Sequence, residues 1–417
     1  MLDDLAAFTD LNTIELSNFY LDWGEADSWE NPNPPAPLAL PATAGFGTLP
    51  VPVIDPAAIE SVLAAIDMVK NAGFSAACNV APLYLADPSL SRLACVDITG
   101  RRARGIRSSL AVYGCPSNPE VIAYGEAMMR GFATWWPGVD ALTLNHVEFP
   151  FWPQETVSEL FTCFCDSCRA KAESEGLDFD RVKAEVASTY ERFRTGRGTL
   201  HANDVLTLLI ERPDLAAWLS FRVGTMSEYV RRLVEAGREA ALRHNPELKI
   251  GLEFQAPAAS LLVGTDFRTL APLFDWLTPK FPDYLAAAVI PMVADELGGG
   301  EAAQLRAALR QLLLLGPGPA EYAPASDASQ GIRYRNAFDL DMIGLQVPLL
   351  GDLPATASIY PYLWLYEGDT RALAEKIDAV TRHGFEGYFL WAWDGDLTTA
   401  ALQSHRRSST VRQSSVR

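Results

Sequence analysis

A short apolar strand that ends in polar side chains is visible in the stretch ALTLNHVEF, residues 141–149. A second stretch, LKIGLEF at residues 248–254, has the same form, and Glu253 lies near its end as Glu148 lies near the end of the first. In an eightfold β/α barrel, side chains at the carboxyl ends of the strands surround one cavity. The two stretches therefore predict a parallel sheet with a candidate site at that edge.

Short apolar stretches alternate along the chain with longer segments of helical period, which is typical of β/α units around a parallel sheet. Eight strands are predicted, and the fold class is therefore α/β, a (β/α)8 TIM barrel. The 417 residues exceed the ~250 of a plain barrel, so we expect long loop insertions. The predicted strands are residues 14–21, 74–82, 106–113, 141–149, 248–254, 276–281, 358–365 and 387–393.

The clearest helical pattern covers residues 215–244. Apolar residues recur there at steps of three and four between Leu219 and Leu233, with charged residues between them. Asn245-Pro246-Glu247 follows and predicts the end of the helix, because the residue before a proline disfavours helical conformation. The helix leads directly into the strand at 248–254, and we expect its apolar face to pack on the barrel wall.

One large domain is predicted for residues 1–402, a TIM-barrel catalytic domain with a cysteine zinc site inserted around residues 115–168. Residues 403–417 are rich in serine and arginine without periodic apolar positions, which predicts a disordered basic tail.

The charge of the chain argues against polyanionic partners. With 34 basic and 52 acidic residues, the formal net charge is −18, which repels nucleic acid and anionic membrane surfaces. A neutral carbohydrate substrate is compatible with this charge. No basic and apolar leader is visible after Met1, and no apolar run approaches the ~20 residues of a membrane span, so we expect a cytoplasmic protein.

Four cysteines have the spacing of a zinc site. Cys163, Cys165 and Cys168 lie within six residues, and Cys115 opens a Cys-Pro-Ser-Asn-Pro turn upstream. Four thiolates close a tetrahedral shell, so the predicted Zn²⁺ is structural and not catalytic. The alternative is a set of reduced, partly buried thiols.

Carboxylates and aromatic residues at the predicted strand ends form the candidate site. Glu148, Glu253 and Glu367 are the candidate catalytic residues, because paired carboxylates supply acid, base or nucleophile in glycoside hydrolysis. Aromatic faces bind the apolar face of a sugar ring. The candidate substrate-binding residues are Asn145, His146, Lys280, Tyr362, Trp364, Trp391, Trp393 and Asp394.

Each of these residues has an alternative interpretation. A strand-end glutamate also caps helices or pairs with arginine, and a tryptophan in a barrel is more often part of the core. Lys280 is a salt-bridge partner, a donor to substrate hydroxyls or a Schiff-base amine. His146 lacks a second histidine at metal-binding spacing, which favours a core or substrate-contacting role over a catalytic metal site.

The region around the cysteines resembles a known family. The sequence Cys-Pro-Ser-Asn-Pro-Glu at 115–120, a strand that ends near an asparagine and a glutamate, and Cys-Phe-Cys-Asp-Ser-Cys-Arg-Ala-Lys-Ala at 163–172 follow one another in this order. This order resembles the glycoside hydrolase family 42 β-galactosidases and related uncharacterised barrel glycosidases. The similarity covers about residues 106–175, and the stretch 263–279 also looks like one seen in uncharacterised barrel glycosidases.

The resemblance implies a cysteine zinc site beside the barrel, Glu148 as acid/base and a nucleophile at the end of strand seven, which points to Glu367. The sequence departs from the family pattern because Val147, and not an asparagine, precedes Glu148; Asn145 lies three residues back. Glu253 therefore remains a rival nucleophile. The resemblance, and no pattern in the sequence itself, also points to a homo-oligomer.

The sequence thus predicts a glycoside hydrolase that cleaves a neutral oligosaccharide or glycoside by a two-carboxylate, retaining mechanism. One alternative is a sugar-binding barrel without catalysis. Another is a barrel isomerase or aldolase that uses Lys280.

Overall fold

The structure is a computed structural model. The residues that it describes are 13–16, 56–85, 88–103, 112–136, 138–151, 156–195, 204–281, 289–298, 302–315, 341–351, 353, 358–365 and 370–392. The predicted tail at 403–417 and the candidate residues Glu367, Trp393 and Asp394 lie outside the described residues.

Ten β-strands are found in the described part of the chain. They are β1 (Thr13–Leu16), β2 (Ser75–Val80), β3 (Tyr84–Leu85), β4 (Val112–Tyr113), β5 (Ala141–Leu144), β6 (Lys249–Phe254), β7 (Trp276–Pro279), β8 (Ser358–Ile359), β9 (Tyr362–Leu365) and β10 (Phe389–Ala392).

The main sheet is parallel throughout and has the order β1-β2-β5-β6-β7-β8. Strands β9 and β10 form a second parallel pair. Lys280, directly after β7, forms an isolated parallel bridge with Tyr362 of β9. Strand β9 therefore lies on the same side of β7 as β8. The predicted strands at 14–21, 74–82, 141–149, 248–254, 276–281, 358–365 and 387–393 are confirmed in part or whole.

The predicted strand at 106–113 is described only at residues 112–113, and this end does not belong to the main sheet. Its described end, Val112–Tyr113, pairs antiparallel with β3 in a small separate ribbon. Strand β2 instead lies directly beside β5, with Asn79 in register with Thr143. Glu148 therefore follows the third strand of the described sheet, and Glu253 lies on the fourth.

The described α-helices lie between the strands and in long insertions after β5 and β7. They are α1 (Pro56–Asn71), α2 (Pro119–Trp135), α3 (Asp166–Ser174), α4 (Phe179–Arg194), α5 (Asp204–Glu211), α6 (Pro213–His244), α7 (Pro257–Ser260), α8 (Phe267–Leu270), α9 (Ile290–Gly298), α10 (Ala302–Leu312), α11 (Asp341–Gln346) and α12 (Thr370–Arg382). Among the described helices, none combines the length and the apolar character that crossing a bilayer requires.

Helix α6 confirms the predicted helix at 215–244. Its apolar stripe, which includes Met226, Val230 and Leu233, is buried. It packs against α2 so closely that a Cβ atom on Gly125 would lie 2.6 Å from both Leu233 and the Tyr229 hydroxyl. This glycine allows the two helices to approach, which fixes α2 beside the strands that carry the candidate site.

Helix α2 begins where the sequence provides a cap. The Asn118 side chain accepts a hydrogen bond from the backbone N of Glu120 at 2.9 Å, and Pro119 occupies the first helical position. Both features favour a helix start, because the first backbone N–H groups of a helix otherwise lack partners.

The inner face of the sheet is apolar at the amino-terminal ends of the strands. Ala77, Ala141 and Trp276 form a buried cluster there, and Phe389 stacks on Trp276 with 6.4 Å between ring centroids. A Cβ atom on Gly251 would lie 2.0 Å from the indole of Trp276, so glycine makes room for this ring. The apolar layer closes one end of the interior and leaves polar residues above it.

Candidate functional site

Five neighbouring strands place a polar side chain at the same level. Each residue is the penultimate residue of its described strand. They are Glu15 in β1, Asn79 in β2, Thr143 in β5, Glu253 in β6 and Thr278 in β7. Alternate residues of a strand share a face. Glu15 of β1 and Thr143 of β5 are joined by a hydrogen bond although β2 lies between these strands. The five side chains therefore point to the concave interior.

Hydrogen bonds join this layer into one network. Asn79 Nδ2 donates to Glu15 Oε1 at 3.0 Å and to Glu253 Oε2 at 3.1 Å. Thr143 Oγ1 donates to Glu15 Oε2 at 2.5 Å. Glu253 Oε1 lies 2.7 Å from Lys280 Nζ, and the ion pair is buried, with 2 % and 3 % of the two side chains exposed. Two carboxylates and one ammonium group thus meet in the interior.

A second layer lies two residues further along the strands. Lys280 Nζ donates to Asn145 Oδ1 at 2.8 Å, which in turn accepts from the backbone N of His146 at 2.7 Å. Gln255 Nε2 donates to Glu148 Oε1 at 3.0 Å. The structure therefore brings the predicted residues Asn145, Lys280 and Glu148 to one place.

Glu148 is held as a carboxylate. Burial opposes this state, but the contacts from His146, Lys280 and Gln255 outweigh burial and lower the pKa of Glu148 below its ordinary value. Tyr113 fixes the backbone from the other side, since its hydroxyl donates to the Glu148 carbonyl oxygen at 2.6 Å. An ionised carboxylate suits a base, a nucleophile or a hydroxyl acceptor better than a proton donor.

His146 has an unusual backbone. Its φ of 52° lies in the left-handed region, which costs a residue other than glycine of order 1–3 kcal/mol and is found most often at functional sites. Its Nδ1 lies 3.1 Å from the Tyr84 hydroxyl and 3.2 Å from Glu148 Oε1. Burial and the charge of Lys280 lower the pKa of His146, which favours the neutral ring. His146 therefore orients Glu148, and it lies outside the cluster of potential metal ligands in the described chain.

The Lys280 Nζ atom contacts one oxygen of Glu253 and one oxygen of Asn145. The Glu253 carboxylate and the Asn145 carbonyl oxygen stabilise its ammonium form, whereas a Schiff-base lysine reacts as the neutral amine. The contacts of Lys280 thus favour a charge-balancing role over the aldolase alternative.

Three of the buried polar atoms without a hydrogen-bond partner among the described residues belong to this site. They are Asn79 Oδ1, Glu148 Oε2 and Thr278 Oγ1. Their side chains are almost fully excluded from solvent, at 3 %, 3 % and 0 % exposure. Buried polar groups are rarely left unpaired in folded proteins, so water or a bound ligand is the expected partner. A polyhydroxylated ligand offers several such partners at once.

Glu15 differs from the other carboxylates of the site. It is half-buried, and burial followed by the charge of Glu253 raises its pKa from 4.5 to about 7. The hydrogen bonds from Thr143 and Asn79 act in the opposite direction without cancelling this effect. Glu15 is therefore the carboxyl group of the network that still carries a proton near neutral pH.

Sequence reasoning missed Glu15, Asn79, Thr143, Gln255 and Thr278. All five lie in or directly after predicted strands, but the predicted candidates came from other positions near the ends of the stretches. The available signal was a polar residue at an inward position of an otherwise apolar strand, because such positions alternate with outward ones.

The predicted aromatic contacts are described only in part. Tyr362 is buried in β9 beside Lys280. Trp364 in β9 and Trp391 in β10 are in register, but their side chains lie outside the described atoms. Glu367, Trp393 and Asp394 lie outside the described residues, so their site roles stay predictions.

The four predicted cysteines come together at one point. Their sulfur atoms all lie within 4.8 Å of one another. Cys115 Sγ lies 3.4 Å from the sulfurs of Cys165 and Cys168 and 3.7 Å from that of Cys163. A tetrahedral zinc with Zn–S bonds of about 2.3 Å separates its sulfur ligands by about 3.8 Å, so the cluster fits this ion.

The surroundings of the cluster also suit thiolates. The backbone N of Val96 donates to Cys163 Sγ at 3.3 Å, and that of Cys168 donates to Cys165 Sγ at 3.5 Å. Such bonds orient metal ligands and reduce their charge. Cys78 and Cys95 are buried free thiols as well.

Arg222 connects the cysteine cluster with the glutamate. Its guanidinium carbon lies 4.6 Å from the ring centroid of Trp218 and 4.7 Å from that of Phe149, the residue after Glu148. Trp218 stacks in turn on Phe164, which lies between Cys163 and Cys165. Burial lowers the pKa of Arg222 to about 10, so the group remains charged at neutral pH and balances nearby thiolates.

Comparison with solved structures identifies the fold. The catalytic domain of β-amylase from Paenibacillus polymyxa is similar at a TM-score of 0.53 and 10% identity, over 97% of this chain and 93% of that one. β-Galactosidase from the psychrophilic Marinomonas ef1 is similar at a TM-score of 0.52 and 10% identity, over 99% of this chain but only 57% of that one. No protein-family model and no curated protein sequence matches the chain.

The fold is an α/β TIM barrel. The parallel strand order and these two similarities confirm the fold class predicted from the sequence, although pairing of β1 with β10 is not among the contacts of the described residues. The structural neighbours are glycosidases by name, and they do not single out family 42. In this fold, the carboxyl ends of the strands hold the active site, which is where the polar network lies.

Proposed function

We propose that the protein is a glycoside hydrolase that cleaves a neutral oligosaccharide or glycoside. The observation that carries the proposal is the interior network in which Glu148, Glu253 and Lys280 meet at the carboxyl ends of the barrel strands. Glycoside hydrolysis needs two carboxylates on either side of the scissile bond. The fold similarity to two enzymes named as glycosidases supports this assignment.

Within this proposal, Glu253 acts as the nucleophile. Lys280 and Asn79 each contact one of its carboxylate oxygens, and both contacts stabilise the ionised form. A retaining mechanism requires such a carboxylate close to a second carboxyl group that transfers the proton. The family resemblance gives that second role to Glu148, while the lowered pKa of Glu148 argues for a different task.

The unpaired atoms of the site favour a sugar over other neutral ligands. Asn79 Oδ1, Glu148 Oε2 and Thr278 Oγ1 offer acceptors for hydroxyl groups, and the Thr278 hydroxyl is also a donor. The net negative charge of the chain disfavours anionic sugars such as uronates.

A panel of chromogenic aryl glycosides, with both anomers of common neutral sugars, tests the proposal. We expect turnover of at least one glycoside and a loss of roughly 10²-fold or more in kcat/KM for Glu253→Gln. Glu239→Gln, at an exposed position of α6, is the matched control and should leave turnover unchanged. Proton NMR of the first product formed identifies retention or inversion.

Complete inactivity of the wild type on this panel would contradict the proposal. If the inactive wild type and Glu148→Gln still bound sugars with similar affinity, the alternative of a sugar-binding barrel would be favoured. Borohydride trapping with a carbonyl substrate would indicate the aldolase alternative, which the ion pair of Lys280 disfavours.

We also propose that Cys115, Cys163, Cys165 and Cys168 bind one structural zinc ion. The ligand set is coordinatively closed, so zinc would brace the segments before α2 and around the start of α3 without touching substrate. The sulfur spacing and the backbone donors to two of the sulfurs support the assignment. A cytoplasmic location and a homo-oligomer remain predictions.

A further inference from the structure

Glu15 and Glu253 share one hydrogen-bond donor. Asn79 Nδ2 lies 3.0 Å from Glu15 Oε1 and 3.1 Å from Glu253 Oε2, so the two oxygens bound to this nitrogen are at most 6.1 Å apart. Retaining glycosidases separate their carboxyl groups by about 5–5.5 Å, and inverting enzymes by roughly 6.5–9.5 Å. The bound of 6.1 Å lies below the inverting range, and a retaining separation satisfies it.

The charges around the pair are unequal. Lys280 forms its salt bridge with Glu253, whereas the two hydrogen-bond donors to Glu15, the Asn79 amide and the Thr143 hydroxyl, are neutral. In the described part of the chain, no salt bridge reaches Glu15. A negative charge is thus stabilised on Glu253, and the proton that the pair retains is favoured on Glu15.

Other ionisable groups near Glu15 do not change which of the two carboxyl groups keeps the proton. Glu253 faces it from β6 and disfavours a second negative charge, while Lys280, directly after β7, has a smaller opposing effect. Cys78 on β2 is close as well, but burial raises the pKa of its thiol, which stays neutral. The resulting pKa of about 7 for Glu15 is suited to an acid that later acts as a base.

We propose that Glu15 is the catalytic acid/base of this site and that Glu253 is its nucleophile. The inference rests on the proposed glycosidase function. It gives Glu15 the proton transfer that the family resemblance gave to Glu148. Glu148 then contacts the substrate, with Oε2 accepting a hydrogen bond from a sugar hydroxyl.

The proposed reaction has two steps, and atoms and protons are conserved in each. In the first, a Glu253 oxygen bonds to the anomeric carbon, the glycosidic carbon–oxygen bond breaks, and the Glu15 proton passes to the leaving oxygen. In the second, water adds to the anomeric carbon, the ester bond to Glu253 breaks, and Glu15 takes the proton from that water. Formation of the ester removes the charge of Glu253, which lowers the pKa of Glu15 and prepares it to act as the base.

Aryl glycosides with leaving groups of different acidity test the assignment. We compare the wild type with Glu15→Gln and Glu148→Gln, and use Glu239→Gln as the exposed control. For Glu15→Gln we expect a loss of roughly 10²–10⁴-fold in kcat/KM with a poor leaving group such as methoxide. The loss should be small with dinitrophenolate, which needs no proton, and added azide should speed the second step and yield a glycosyl azide.

The pH profile gives a second measurement. The kcat/KM of the wild type on the poor leaving group should fall as pH rises through about 7, the pKa at which Glu15 loses its proton. Glu15→Gln should lack this limb, whereas Glu148→Gln should keep it and show mainly a raised KM. The inference would be overturned if Glu148→Gln lost the limb, showed the leaving-group dependence and formed the glycosyl azide, while Glu15→Gln kept the limb and showed neither of the other two effects.

Infrared difference spectroscopy of the free protein tests the protonation of Glu15 independently of the glycosidase function. A protonated carboxyl band that titrates near pH 7 in the wild type should be absent from Glu15→Gln. Active enzyme without such a band would refute the assignment of Glu15 alone. An inactive wild type that shows the band would instead refute the glycosidase function, and with it any catalytic role of Glu15.

Discussion

Lys280 Nζ lies 2.7 Å from Glu253 Oε1, and both side chains are almost completely excluded from solvent. This ion pair joins neighbouring strands β6 and β7 at the level of the candidate site. A buried pair of this kind is weak evidence for net stability, because desolvation offsets the attraction, but removal of one partner leaves an uncompensated charge. The pair therefore couples the charge state of the site to the stability of the barrel.

Lys280→Met should destabilise the protein by about 3–5 kcal/mol, because Glu253 is left as a buried carboxylate without its cation. The double variant with Glu253→Gln should recover a large part of this loss, since it removes the unpaired charge. Urea unfolding of the two single variants and the double variant measures the coupling. Additive losses in the double variant would show that the two groups do not interact energetically.

The raised pKa of Glu15 predicts how stability varies with pH. The folded protein keeps the proton up to about pH 7, whereas the unfolded chain releases it near 4.5, so unfolding releases a proton within this window. Stability from this group therefore falls as pH rises through the window and is constant above it. Glu15→Gln cannot titrate, so its stability relative to the wild type should increase between about pH 5 and about pH 8.

Thermal unfolding of both proteins across that range checks the prediction, and the difference between their Tm values isolates Glu15 from other titrating groups. A constant difference would contradict the pKa assigned to Glu15.

Metal analysis of the purified protein should find about one zinc per chain. Cys168→Ser should lower the zinc content and Tm, because the buried Cys168 sulfur lies 3.4 Å from that of Cys115 at the centre of the cluster. Chelation of the wild type should lower Tm to a similar extent, since the free energy of metal binding contributes to folding. Cys78→Ser, at a buried thiol outside the cluster, is the control and should keep its zinc.

Two glycine substitutions should have opposite effects. In Gly251→Ala the new methyl group meets the Trp276 indole at 2.0 Å, so we expect a loss of about 1–3 kcal/mol or more from overpacking. In Gly224→Ala the methyl group meets nothing within 4 Å on helix α6, and we expect a gain of about 0.5–1 kcal/mol from helix propensity. Urea unfolding of both variants measures these changes, and destabilisation by Gly224→Ala would contradict the packing described for α6.

Local patterns in the sequence were sufficient for most of the fold. The strand at 248–254 and the helix at 215–244 depend on near-neighbour periodicity and on the Asn245-Pro246 stop, and both are confirmed. The described end of the strand predicted at 106–113 lies outside the main sheet, because such β-forming residues also pair in a short antiparallel ribbon. Which partner it takes is set by contacts far away in the chain.

The candidate site also depends partly on local sequence and partly on contacts made in the tertiary structure. The sequence alone identified Glu148, Glu253 and the four cysteines, because each depends on a residue type at a strand end or at a ligand spacing. Only the tertiary structure showed that Glu15 meets Glu253 across Asn79 and that Lys280 pairs with Glu253 and not with Glu15. These relationships join residues up to 238 positions apart through sheet register, and the charge, proton and pKa of a carboxyl group depend on such neighbours in space rather than on its neighbours in sequence.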